Sequence, residues 1–311
     1  MKKNTAMTKG KKIQIAVVAV IVICTLVMTF VWFSNRLHSI ISDTNNSFLK
    51  ETSSHQAALF NTKLNDQLSV LESLAKQFSD VNFNNYKELK DAVSSLHGVG
   101  DFKQMTVADS SGACLSNNNT YSANISKKHY FQAALNGTPT VSNGIDVDAS
   151  GEDILALSVP IYQKSDIVGV LTGIYDRSVL DSLFSTTMFN GEGYTYIINS
   201  AGDIMVKTDN SHALAKGSNY LEFLKHVQLL SDNTYDEVVQ DLSRGSASTL
   251  HYKDGSQERY VSYYPVGLHD WYVVSEITNE VIITQTQDLS FIIIILMSVL
   301  AIILFGVFII A

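Results

Sequence analysis

Two short stretches of the 311-residue chain bring chemistry-bearing side chains close together. The first, "NISKKHYFQAALNG" at residues 124–137, sets a basic pair, a histidine and two adjacent aromatics ahead of an Asn-Gly stop. A cation next to aromatic rings suits the edge of a small-ligand pocket. The second, Asp146-Val147-Asp148-Ala149-Ser150-Gly151, begins like a calcium loop, with oxygen donors at positions 1, 3 and 5 and glycine at 6. Its twelfth position, where a bidentate glutamate belongs, is Leu157, so the stretch reads as an acidic hairpin turn.

Catalytic patterns are missing. The eight histidines are scattered, with no HExxH, no HxH and no pair at helical spacing, so no metal is expected. His129 points away from both its neighbours on a helix and reads as a surface residue. There is no G-x-S-x-G elbow, no S-x-x-K with its partners and no phosphate-binding loop. No nucleophile has a credible base, and neither enzymatic activity nor a cofactor is expected of this chain. The aromatic pairs Tyr130-Phe131 and Tyr263-Tyr264, and the run "WYVV" at 271–274, read as core before pocket.

The elements that must position these residues follow from periodicity. Ala57, Phe60, Leu64, Leu68, Leu71, Ala75 and Phe78 recur at helical spacing, and no Pro or Gly interrupts residues 11–97. One long helix with a buried face is predicted there, followed by a second over residues 85–98 that stops at glycine. The period then changes. "FKQMTVADSSGACLS" reads as strand, turn, strand, and "YTYIINSAGDIMV" repeats it ninety residues later. "LSVPIYQKSDIVGVLTGI" is echoed by "SYYPVGLHDWYVVSEI", with Pro160 and Pro265 in matching places. Two copies of one α+β module with antiparallel sheets are expected, joined by a helix over residues 177–188.

Both ends are apolar. Residues 15–33 and 289–311 carry no charge, and each is long enough to cross about 30 Å of hydrocarbon as a helix. Lysines 2, 3, 9, 11 and 12 precede the first stretch and place the N-terminus in the cytoplasm. Without those five lysines, 17 basic residues face 30 acidic ones, so the outer part carries about −13, which argues against nucleic acid. Cys24 and Cys114 lie too far apart in this topology to pair. The expected organisation is a cytoplasmic N-terminus (1–12), a transmembrane helix (13–34), a long stalk helix (35–80), a distal module (81–188), a proximal module (189–285) and a second transmembrane helix (289–311). Residues 35–288 would then lie outside the cell membrane. Ala311 falls within or at the end of the second apolar stretch, so a longer protein with a cytoplasmic output domain is expected.

The stretches "ISKKHYFQAALNGTPTVS", "ILALSVPIY", "GVLTGIYDRSVLDSLF" and "GYTYIINSAGDIMV", in this order between two apolar segments, resemble the double Cache (PAS-like) sensor domains of bacterial transmembrane receptors. The resemblance spans about residues 35–285. It implies a small extracellular ligand in the distal module, passage of the signal through the proximal module to the second span, and a homodimer. Diguanylate cyclase is the first output it suggests, with histidine kinase and chemoreceptor as alternatives. A stand-alone membrane-anchored binding protein is the reading from another class. In amino-acid-binding members an Arg-x-Trp-Tyr stretch grips the ligand carboxylate; the matching positions here are Lys128, Tyr130 and Phe131. The family's amine-binding Asp should fall near Tyr175, where one alignment gives Ile174 and a shifted one gives Asp176. Loops like the acidic turn cover the pocket in the family, so the resemblance also implies that Asp146 or Asp148 can touch a cationic ligand. Lys for Arg gives up the bidentate carboxylate grip, so the ligand is left open between an amino acid and another small acid or amine.

Overall fold

The computed structural model describes residues 9–117, 121–122, 124–144, 146–147, 153–176, 193–207, 219–231 and 233–280, with 291, 292, 295, 296, 298 and 299 near the C-terminus. The expected linker helix at 177–188, Asp148, residues 1–8 and most of the second apolar stretch lie outside the described residues. The chain divides into a compact unit Leu49–Ile277 and a second unit formed by Met1–Phe48 with Thr278–Ala311.

Helix α1 (Lys9–Ala75) is followed by a single 3-10 turn, Lys76–Phe78. All seven residues of the expected stripe are buried, from Ala57 to Phe78. A 3.6-residue period keeps those side chains on one face, where they join one core with residues of both sheets. Helix α2 (Tyr86–Ser94) starts where the Asn85 side chain accepts the Glu88 N–H, one of the amides a helix leaves unpaired at its start.

The first sheet contains β1 (Gln104–Asp109), β2 (Cys114–Ser116), β3 (Tyr121–Ser122), β4 (Thr140–Val141), β5 (Asp146–Val147), β6 (Asp153–Gln163) and β7 (Asp166–Asp176), in the order β3-β2-β1-β7-β6-β4, with β5 also on β6. The second contains β8 (Gly193–Asn199), β9 (Ile204–Lys207), β10 (Gln228–Leu229), β11 (Ser248–Asp254), β12 (Gln257–Pro265) and β13 (Trp271–Thr278), in the order β10-β11-β12-β13-β8-β9. The run β2-β1-β7-β6 in one sheet matches β9-β8-β13-β12 in the other. The repeat legible in the sequence is therefore a repeat of topology, with each module's first strand paired to its last.

The long helix packs on the same side of both sheets. Leu155, Leu157, Val159 and Leu171 of the first and Ile197, Trp271 and Val273 of the second share one core with its stripe. The Phe60 ring stacks on Trp271 at 6.2 Å. Strand alternation sends the intervening residues to the opposite faces, which are covered by α3 (His129–Leu135) in the first module and by α4 (Tyr220–Leu224) and α5 (Tyr235–Arg244) in the second.

Among the described residues no helix is long and apolar enough to cross a membrane. The flanking transmembrane helices expected at 13–34 and 289–311 are thus not seen. Many side chains of the first stretch and most residues of the second lie outside the described residues.

Candidate functional site

The site is built from the β1–β2 turn outward. Asp109 Oδ1 accepts the Ser111 and Ala113 amides at 2.8 and 3.1 Å, closing the turn on Gly112, whose φ of +82° suits a residue without Cβ. A Cβ there would lie 2.5 Å from the Ser126 amide, so the glycine also lets the next segment approach. Ile125 N–H then donates to the Gly112 carbonyl at 3.0 Å, and Asn124 Nδ2 to the Ser111 carbonyl at 3.1 Å. These contacts aim α3 across the sheet. Gly137, at φ +90°, follows its end.

Lys128 caps α3, and its ammonium meets Asp146 Oδ1 of β5 at 2.5 Å, with 38% and 25% of the two side chains exposed. A pair this open to water contributes at most about 1 kcal/mol. Tyr130 and Phe131 are buried and pack with Ala134 on Ala108, Cys114, Ala156 and Val170. Burial, with the nearby Asp146 and Cys114 charges behind it, pushes the Tyr130 phenol well up, so it stays a neutral donor. Burial pushes the Cys114 thiol up to about 11.

Beneath α3 the sheet carries a line of hydroxyls. Register pairs Ser116 with Thr106, Thr106 with Thr172, Thr172 with Ser158 and Ser158 with Thr140, one residue from each of five strands. The first four of these are buried. Ser158 Oγ and Thr172 Oγ1 share a hydrogen bond of 2.8 Å, and Gln104 Nε2 donates to Ser116 Oγ at 2.6 Å. Small alanines at 108 and 156 flank the row, so this face is both polar and shallow in side-chain bulk.

Of the seven expected site residues, Lys128, Tyr130, Phe131 and Asp146 come together. Asp148 lies outside the described residues. Tyr175 is not with them: it faces α1, buried, and stacks on Phe102 at 4.9 Å. Leu171 and Tyr175 alternate with Val170 and Thr172, so the two sets face opposite ways. Asp176 pairs through its backbone with Ile154, and its side chain is outside the described residues. The hydroxyl row was missed from sequence, because it exists only once five strands are in register.

Among the described residues no group of three or more His, Cys, Asp or Glu could hold a metal. A groove of about 480 Å³, lined by Glu72, Ala75, Lys76, Ser79, Pro160 and Tyr162, contains none of the expected site residues.

The architecture is a long helix and two PAS-like sheets in tandem, with α3 over the outer face of the first and α4 and α5 over that of the second. The Cache domain family model dCache_1 matches residues 38–286, and the chain belongs to that family. Among solved structures, the ligand-binding domain of the Pseudomonas fluorescens chemoreceptor CtaA in complex with L-isoleucine is similar at 16% identity and TM-score 0.61, over 80% of this chain and 98% of that one. The ligand-binding domain of the Pseudomonas aeruginosa amino acid chemoreceptor PctC, in complex with GABA, matches at 19% identity and TM-score 0.54, over 75% of this chain and 100% of that one. The sensory domain of the Campylobacter jejuni chemoreceptor Tlp3 with isoleucine bound matches at 14% identity and TM-score 0.57, over 78% and 96%.

Proposed function

We propose that this chain is the ligand-sensing region of a bacterial transmembrane receptor and that its distal module binds a small polar molecule between α3 and the hydroxyl-bearing sheet face. The observation that carries this reading is the juxtaposition of the Lys128–Asp146 pair and Tyr130 with the buried row Ser116, Thr106, Thr172 and Ser158. A set of donors and acceptors beside apolar rings suits a small ligand rather than a catalysed reaction. The pair at the rim offers one cation and one anion, so an amino acid or another small acid or amine can exchange partners with it. Solved relatives in complex with L-isoleucine and GABA support the same class.

Anchoring by two membrane spans, with the N-terminus in the cytoplasm and residues 35–288 outside, is part of this proposal. Large apolar side chains of the first stretch are exposed, Trp32 at 67% and Met28 at 77%, as are Phe291 and Leu296 near the other end. Exposed apolar surface of that extent suits lipid. Domain limits at 81–188 and 189–285, assembly as a homodimer, and an output domain beyond Ala311 complete the reading. A diguanylate cyclase is the first output proposed, a histidine kinase or chemoreceptor the alternative. The ligand must favour one of two receptor states for any signal to pass.

A thermal-shift screen of the full chain in detergent against small amino acids, organic acids and amines tests this. A stabilising compound whose effect disappears in Lys128→Ala and Tyr130→Ala supports the distal site. A stabilising compound indifferent to both substitutions, or none across the screen, contradicts it.

A further inference from the structure

The proximal module repeats the distal site's scaffold, including the contact that seats its short helix. Tyr220 N–H, at the first residue of α4, donates to the Gly202 carbonyl at 2.6 Å, as Ile125 does to Gly112 ahead of α3. Gly202 has φ +86°, and a Cβ there would lie 2.7 Å from Leu221. The sheet face under α4 differs from its distal counterpart. Arg259 of β12 donates to Glu276 of β13 at 2.6 Å, with 2% and 1% of their side chains exposed. Arg259 Nη2 also donates to Gln257 Oε1 at 2.9 Å.

Tyrosines surround this pair. Tyr252 lies across from Arg259 and Tyr194 across from Glu276 in the strand register, and the guanidinium carbon stands 5.6 Å from the Tyr194 ring centre. Tyr220 packs 6.2 Å from Tyr196, and Phe223 meets Tyr252 edge-on at 5.6 Å. Two tyrosines of the same layer are fastened to α5: Tyr263 donates to Asp241 Oδ2 at 2.7 Å and Tyr272 to the Leu242 carbonyl at 2.9 Å. Around the ion pair the pattern is different. Arg259 Nε and the hydroxyls of Tyr220 and Tyr252 have no hydrogen-bond partner among the described residues, although all three residues are at most 1% exposed. The Tyr252 hydroxyl lies close enough to Glu276 to favour its charged form, without reaching it in hydrogen-bond geometry.

From this cluster we infer a second small-molecule site in the proximal module, at α4, for a small uncharged polyhydroxylated compound. Arg259 and Glu276 cancel each other, so an added ion would stand as a net buried charge, whereas a neutral compound would not. A hydroxyl both donates and accepts, which matches one N–H donor and two phenols. The carbon face of such a compound packs on tyrosine rings. The inference stands on the proximal cluster alone and is independent of what the distal module binds.

Isothermal titration of the full chain in detergent with glycerol, D-ribose and D-glucose, each at millimolar concentration, tests it, with acetate and methylammonium as charged comparisons. The expected result is saturable one-to-one binding of at least one polyol, weakened about tenfold by Tyr220→Phe and again by Tyr252→Phe, as loss of a hydrogen bond implies. Both variants keep their rings, and Tyr130→Ala, in the distal module, leaves the polyol isotherm unchanged. No saturable heat with any polyol, preference for acetate or methylammonium, or binding indifferent to both Tyr→Phe changes overturns the inference. Loss of polyol binding in Tyr130→Ala, with the Tyr→Phe variants unaffected, assigns the polyol to the distal site and overturns it too.

Discussion

Replacing Arg259 by methionine should be among the most damaging single changes in the proximal module. Arg259 and Glu276 are both almost fully buried and joined at 2.6 Å. Removing one partner leaves the other as an uncompensated buried charge, which costs about 3–5 kcal/mol. Replacing both, as Arg259→Met with Glu276→Leu, removes the unmet charge together with the attraction, and is expected to lie near wild type or above it. The pH dependence follows from Glu276. Burial raises its pKa above the ordinary carboxylate value, against the opposing pull of Arg259 and Tyr252. Without the arginine the folded-state pKa climbs further. A group whose pKa is raised on folding contributes stability below its unfolded pKa and loses it as pH rises through the folded value. The deficit of Arg259→Met should therefore grow as pH rises above the ordinary carboxylate range. Urea unfolding of the full chain in detergent, followed by Trp271 fluorescence, reads this directly. The chain has two tryptophans, and Trp271 is buried against Phe60 whereas Trp32 is exposed. A single variant within about 1 kcal/mol of wild type, or a double variant as unstable as the single, would refute the buried-pair reasoning.

Further outcomes can be checked with similar means. Thr172→Val strands the Ser158 hydroxyl bonded to it at 2.8 Å, and should cost about 1–3 kcal/mol in urea unfolding, with Thr172→Val/Ser158→Ala costing less because no hydroxyl is left unpaired. Thr234→Ala removes the capping box of α5, where Thr234 and Glu237 bond each other's backbone amides, and should cost about 1 kcal/mol; a change near zero would mean that α5 is held by Tyr263 and Tyr272 alone. Phe60→Ala opens the core shared by α1 and both sheets and should cost about 3–5 kcal/mol, with a fall in melting temperature. With its thiol raised to about 11, Cys114 should react with a disulfide reagent at neutral pH at least about a hundredfold more slowly than in urea, where an ordinary pKa near 8.5 applies. Equal rates in the folded and unfolded protein would count against its burial.

What the sequence disclosed tracks how local each pattern is. The stripe from Ala57 to Phe78 is written at helical spacing within one element, and every member is buried. Two strand-turn-strand stretches and two prolines marked the repeat, because each module encodes its own hairpins at short range. The candidate site was legible in part. Lys128, Tyr130 and Phe131 sit within four residues of one another, but the Asp146 partner is eighteen residues on and arrives through β5. The hydroxyl row and the Arg259–Glu276 pair depend on strand register, which no window of sequence contains. Tyr175 shows how a period of two decides sidedness: one residue along β7 exchanges the α3 face for the α1 face.

The most direct test of the sensing account is hydrogen exchange of the full chain with and without the first compound that stabilises it in the thermal-shift screen. Slower exchange is predicted for the amides of 124–147, which carry α3 and the Asp146 strand, and for the β6 and β7 amides around Ser158 and Thr172. Protection confined to other segments, with 124–147 unchanged, would contradict a distal ligand site at α3.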